Sequence, residues 1–243
     1  MRQATGHIEV LPDPLALARH AAEWMTAAAL AAQAPFRVSL SGGSTPKALF
    51  GLLASDEFKG RFPWRRVSWF WGDERFVPYD HPDSNYRMTR EAMFAKVSAP
   101  PENIHPIPVD GTPEDAALRY ERTLQQAYGG KTLDPARPLF DVTLLGLGAD
   151  GHTASLLPGE PVLQERARWV AAVAHGRPEV RITMTYPAIE SSRHVLFLVA
   201  GQEKAAILRV VRGGQSDAPA ARVRPVGQLL WFVDRAAAGG GPG

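Results

Sequence analysis

The chain contains no cysteine. That absence excludes disulfides, thiol nucleophiles, iron–sulfur clusters and cysteine-ligated zinc together. Nothing in the sequence approaches the roughly 18 consecutive apolar residues of a membrane-spanning helix. Residues 1–11 carry no apolar stretch of the signal-peptide type. No long basic run is present either: 27 Lys and Arg face 25 acidic residues, a net charge of +2. The pI near 9.0 therefore reflects a small excess on a balanced chain, and neither nucleic acid nor a membrane surface is expected as a partner. The seven histidines form no H-x-H or H-x-x-x-H pair, so no local metal motif is present. Also missing are the glycine-x4-glycine-lysine spacing of a nucleotide P-loop and the G-x-S-x-G of a hydrolase nucleophile elbow.

What is present suits an ordinary globular enzyme. Of 243 residues, 45% are apolar and 21% charged, enough to bury a sizeable core. A soluble cytoplasmic protein is the expectation. Short, nearly unbroken apolar runs predict strands at 36–41, 67–71, 140–145, 169–173, 181–185, 194–199 and 229–233. Runs of this kind fit strands covered on both faces, as in a parallel sheet. Helices are predicted at 15–32, 46–54, 84–97, 113–128 and 203–212, the first capped by Asp13 with Pro14 at its first position. The alternation predicts an α/β doubly wound, Rossmann-like, mostly parallel sheet. No repeat or linker divides the chain, so residues 1–243 read as one domain, with the small, glycine-rich 236–243 as a frayed tail.

In such folds, ligands bind beyond the carboxyl ends of strands. Three strand-to-helix turns there carry unusual residues. Ser41-Gly-Gly-Ser-Thr-Pro-Lys47 follows the strand at 36–41. Gly42 and Gly43 permit a close backbone approach, Ser44 or Thr45 can cap the next helix, and Lys47 adds charge, together a phosphate site or simply a well-capped turn. Trp71-Gly-Asp-Glu-Arg75 offers Asp73 and Glu74 as acid/base groups and Arg75 as a phosphate grip, or else a solvated loop. In Leu145-Gly-Leu-Gly-Ala-Asp-Gly-His152 the glycines match a dinucleotide fingerprint. Pro158 comes too soon for a crossover helix, and no terminal acid follows for a ribose, so that reading fails. The turn instead presents Asp150 and His152 at the ligand edge of the sheet, a pair suited to general-base work near neutral pH, the alternative being a capping Asp beside a satisfied histidine.

These segments, in order, resemble those of the 6-phosphogluconolactonase family. Similar are the three turns, Asp83-Ser-Asn85, the continuation Thr153-Ala-Ser-Leu-Leu-Pro158, Arg193-His-Val, Gly201-Gln-Glu-Lys-Ala205, and the ending from Pro219-Ala-Ala-Arg222 to Trp231-Phe-Val-Asp234. The resemblance implies a single-domain fold like that of glucosamine-6-phosphate deaminase and ribose-5-phosphate isomerase, no cofactor, and a phosphorylated lactone as the small-molecule substrate. It also implies His152 as general base, Asp150 as its support, and Arg75 and Lys204 on the phosphate with Ser44, Thr45 and Lys47. Arg181 would face the site, and Asp73 would meet substrate. A monomer or weak homodimer is expected. Glucosamine-6-phosphate deaminases share the first and third turns but continue with a run that carries a glutamate, whereas no acid precedes Glu160 here. Effector domains of sugar-responsive regulators are similar in fold; this chain retains Asp150 and His152 and has no helix-turn-helix ahead of residue 13.

Overall fold

Apolar runs bounded by turn residues become the strands of a central sheet in the computed structural model, which describes residues 6–33, 35–174, 179–214 and 216–240. The strands are β1 (His7–Leu11), β2 (Phe36–Leu40), β3 (Val67–Trp71), β4 (Asp73–Arg75), β5 (Ile104–His105), β6 (Phe140–Leu145), β7 (Val170–Val173), β8 (Arg181–Met184), β9 (Ser192–Val199) and β10 (Gln228–Asp234). The helices are α1 (Pro14–Ala31), α2 (Ser44–Leu53), α3 (Asn85–Ala92), α4 (Pro113–Tyr128), α5 (Tyr186–Glu190) and α6 (Ala205–Arg212). Seven strands form a parallel sheet in the order β1-β10-β9-β6-β2-β3-β5. No helix among the described residues is long and apolar enough to cross a membrane.

Burial follows from the composition of the strands. Val67, Trp69, Phe70 and Trp71 on β3 are all buried, so both faces of this strand are covered, as parallel sheets require. Phe197 on β9 and Trp231 on β10 stand in register, their rings stacked 4.0 Å apart. Helix α1 starts where the sequence predicts: the Asp13 carboxylate accepts from the Ala16 N–H at 2.8 Å. Its Leu17, Ala21, Ala22, Met25 and Ala29 then face the core, with α2 and β10 among the elements it packs against. At α4, the Thr112 hydroxyl accepts from Asp115 N–H at 3.2 Å, and Gly129 ends the helix with φ of 77°.

The predicted fold class holds, with local differences. The runs at 169–173 and 181–185 leave the main sheet: β8 pairs antiparallel with β7 on one side and β4 on the other, as a separate three-stranded sheet. Their apolar character reflects burial between layers, which periodicity does not distinguish from burial inside a parallel sheet. Strands β1, β4 and β5 have no counterpart in the sequence reading; β1 is an edge strand, and the other two are three and two residues long. The helix expected over 84–97 ends at Ala92, where the Met93 backbone breaks from helical angles before a separate 3₁₀ turn, Phe94–Lys96. The tail expected over 236–243 is folded as far as Gly240: Ala237 N–H donates to Asp234 Oδ1 at 2.7 Å and Gly240 N–H to Arg235 O at 3.0 Å. Residues 241–243 lie outside the described residues.

Where β10 joins β9, Gly227 lies so close to Arg193 that a Cβ would stand 2.0 Å from its carbonyl oxygen. Backbone cannot retreat as a side-chain tip can. Gly227→Ala is therefore expected to lower the melting temperature by several degrees, about 1–3 kcal/mol of overpacking. A thermal melt unchanged from wild type would show that this junction can relax.

Candidate active site

The order of the sheet opens the site. From β2 the chain moves outward to β3 and β5, then returns with β6 on the other side of β2. The segments leaving β2 and β6 diverge, so a crevice forms at the carboxyl ends of these strands. A cavity of about 320 Å³ lies there. Its walls include residues 41–46 after β2, 146–149 and 152–154 after β6, 198–200 at the end of β9, Lys204 beyond it, and Asp73, Arg75, Asn85 and Arg181.

The first wall is the glycine loop. Gly43 takes φ of 102°, a left-handed value that favours glycine, and holds the cap position of α2. No side chain caps this helix. The cap expected from Ser44 or Thr45 is thus replaced by a bare backbone end, because both residues already belong to the first turn. Both residues, at the positive pole of α2, line the cavity instead. Lys47 does not line the cavity and is exposed on α2.

The second wall carries the imidazole. Gly148 N–H donates to His152 O at 2.9 Å, closing a tight turn. The ring folds back over Gly148, where a Cβ would stand 2.1 Å from His152 Nδ1. Only glycine leaves room for that placement. Asp150 Oδ1 is hydrogen-bonded to His152 Nδ1 and also accepts the His152 backbone N–H at 3.1 Å. Asp150 itself stands outside the cavity lining and is exposed. Burial pushes its carboxyl up, but the N–H and the imidazole of His152 outweigh this and hold the acid below its ordinary value. Further along, Ala154 adopts φ of 47°, a left-handed value unusual for a residue with a Cβ. Ser155 then turns inward, donating from Oγ to Asp73 Oδ2 at 2.7 Å.

The third wall differs most from the sequence reading. Asp73, Glu74 and Arg75 form β4 rather than a solvated loop. Asp73 lines the cavity while 6% exposed, held by Ser155 and by Asn85 Nδ2, which donates to its carbonyl at 3.0 Å. Glu74 points away. Its carboxylate accepts the N–H groups of Arg75, Asn85 and Tyr86 at 2.7–2.8 Å and the Ser84 hydroxyl at 3.1 Å. Burial pushes this acid up to about 7 against the pull of those N–H groups. It is spent on the start of α3, so the acid/base role open to it in the sequence falls away.

Arg75 and Arg181 are direct cross-strand partners in the β4–β8 pair, and both line the cavity. Like charges directly opposite destabilise a sheet. Arg75 Nη1 donates to Asp83 O at 2.6 Å and Arg181 Nη2 to Glu179 at 2.7 Å. The buried Nε of each arginine finds no partner among the described residues. Lys204 approaches from β9. Its N–H donates to Gly201 O at 3.0 Å, and Gly201 N–H donates to both oxygens of buried Asp234 at 3.1 Å.

Of the residues singled out in the sequence, Gly42, Gly43, Ser44, Thr45, Asp73, Arg75, His152, Arg181 and Lys204 meet at the cavity; Lys47 and Asp150 do not line it. Sequence reasoning gave no role to Asn85, Ser155 or Asp234. All three lie in quoted segments, but Asn85 and Asp234 look like a helix start and a strand end. Only the fold shows what they hold.

Residues 12–231 match the family described as glucosamine-6-phosphate isomerases/6-phosphogluconolactonase. A 6-phosphogluconolactonase of Nostoc sp. is 41% identical over 238 residues, covering 95% of this chain and 96% of its own. The structure of 6-phosphogluconolactonase from Trypanosoma cruzi matches with a TM-score of 0.84 at 29% identity, covering 96% of each chain. A monomeric glucosamine-6-phosphate deaminase matches with a TM-score of 0.81 at 20% identity over 96% of this chain and 99% of its own, a likeness of fold alone.

Proposed function

This chain belongs to the glucosamine-6-phosphate isomerase/6-phosphogluconolactonase family, and from that premise we propose that it hydrolyses 6-phosphoglucono-δ-lactone to 6-phosphogluconate with His152 as general base. The reading is carried by one observation: an imidazole held by a carboxylate shares a single cavity with an uncapped helix end and a facing pair of arginines.

An ionised Asp150 can only accept, so in the neutral ring Nδ1 of His152 carries the proton and Nε2 the lone pair. Nε2 takes a proton from water as its oxygen attacks the lactone carbonyl carbon. The carbonyl becomes an oxyanion, met by backbone N–H groups of the Gly42-Gly43 turn. As the tetrahedral intermediate collapses, the bond to the ring oxygen breaks. That oxygen takes the proton back from the imidazolium, leaving a free hydroxyl and a carboxylic acid, which releases its remaining proton to solvent as the carboxylate. Arg75, Arg181 and Lys204 hold the phosphate, with the hydroxyls of Ser44 and Thr45 beside them. Binding at this remote group fixes the carbonyl against the base. Asp73, kept in place by Asn85 and Ser155, accepts from a sugar hydroxyl.

The test follows loss of freshly generated 6-phosphogluconolactone after subtracting spontaneous hydrolysis. The protein is expected to accelerate it, and to act far less well on the lactone lacking phosphate. Ammonia release from glucosamine 6-phosphate, with no acceleration of lactone loss, would overturn the proposal in favour of the deaminase chemistry.

A further inference from the structure

We infer that Tyr186 is a positioning residue for the Asp150–His152 pair, acting through a chain of hydrogen bonds that crosses two peptide groups. Tyr186 opens α5, outside the cavity lining, and is 1% exposed. Its hydroxyl donates to Pro219 O at 2.9 Å. The N–H on that same peptide group, Ala220 N–H, donates to Gly151 O at 2.9 Å. The N–H paired with the Gly151 carbonyl is that of His152, which donates to Asp150 Oδ1 at 3.1 Å. This is the carboxylate oxygen that holds His152 Nδ1.

Each peptide group in the line accepts at its oxygen and donates at its nitrogen, so every link polarises the next. The phenol at the head strengthens the N–H at the tail. The same line ties the histidine turn to residues 219–220, fixing it from outside the cavity. Tyr186 suits the head position. Burial pushes its hydroxyl up to about 12, so it stays protonated and able to donate at neutral pH. Arg166 and Arg222 lie over its ring at 5.0 and 5.3 Å and keep it in place.

This inference rests on the reading of His152 as base only in its kinetic arm. The first arm needs no substrate. Neutral histidine in water favours the Nε2–H tautomer, whereas Asp150 enforces Nδ1–H here. In the Tyr186→Phe protein, ¹⁵N shifts of the neutral His152 ring are expected to show the Nε2–H form gaining population. A fold disturbed only in stability would leave that population alone. In the second arm, Tyr186→Phe lowers kcat by about 5- to 30-fold with KM within about twofold, the effect of weakening one linked set of hydrogen bonds. In an Asp150→Ala background the same change costs less than about twofold, because the line then ends on nothing. A tautomer population equal to wild type, or an equal loss in both backgrounds, would overturn the inference. If the lactone is not a substrate, the tautomer arm still decides it.

Discussion

Replacing His152 with asparagine is expected to lower kcat by about 10²–10⁴-fold while KM for the phosphorylated lactone stays within about threefold. Asparagine is smaller than histidine, so the crowded approach to Gly148 is relieved and the turn keeps its shape. Its amide can donate to Asp150 as the ring did, but it has no basic nitrogen to take a proton from water. The arginine pair and the glycine loop lie on other walls of the cavity, so the grip on phosphate survives. The residual rate would come from positioning and from donors aimed at the oxyanion. Single-turnover and steady-state measurements on the same preparation separate these parts. Turnover close to wild type would remove His152 from the role of base.

Replacing Arg75 with alanine acts on the other half of the reaction. Hydrogen bonds to charged groups contribute about 1.5–3 kcal/mol each, so KM is expected to rise roughly 10- to 100-fold with kcat within a few-fold. The contrast in stability is as informative. Arg75 faces Arg181 directly across the β4–β8 pair, and removing one of two like charges relieves repulsion. The variant is thus expected to melt no lower than wild type in the absence of ligand, and inorganic phosphate should raise its melting temperature less. If KM is unchanged, or if phosphate protects both proteins equally, the phosphate is held elsewhere.

Much of this site is legible in the linear chain because its parts are local. A strand, a glycine turn and the polar residues just beyond it are contiguous in Ser41-Gly-Gly-Ser-Thr and in Gly148-Ala-Asp-Gly-His152. A parallel sheet then gathers such turns at one edge whatever their distance in sequence. What escapes is the direction of side chains within a short charged run. Asp73, Glu74 and Arg75 are equivalent on paper. In β4, alternation points Asp73 and Arg75 toward the cavity and Glu74 to the start of α3. Recognising that needs the knowledge that three residues form a strand, and the signal for it lies in β8, more than a hundred residues later. Lys47 shows the opposite failure. Its charge beside the loop suggested phosphate, yet the helix begins at Ser44 and turns that position outward.

The pairing of β1 with β10 sets an order of events during synthesis. His7 lies opposite Leu230 and Leu11 opposite Asp234, so β1 must wait for β10 to be made. A loop of more than two hundred residues separates the partners, a contact of high order that slows closure of this edge. Residues 36–105, by contrast, hold β2, β3 and β5 as one contiguous half-sheet. The same final strand ends in Asp234, which holds Gly201 and through it the turn that bears Lys204. A nascent chain halted before residue 228 thus has its histidine turn and glycine loop but lacks the anchor of its lysine. Synthesis must therefore pass Asp234 before the cavity is complete.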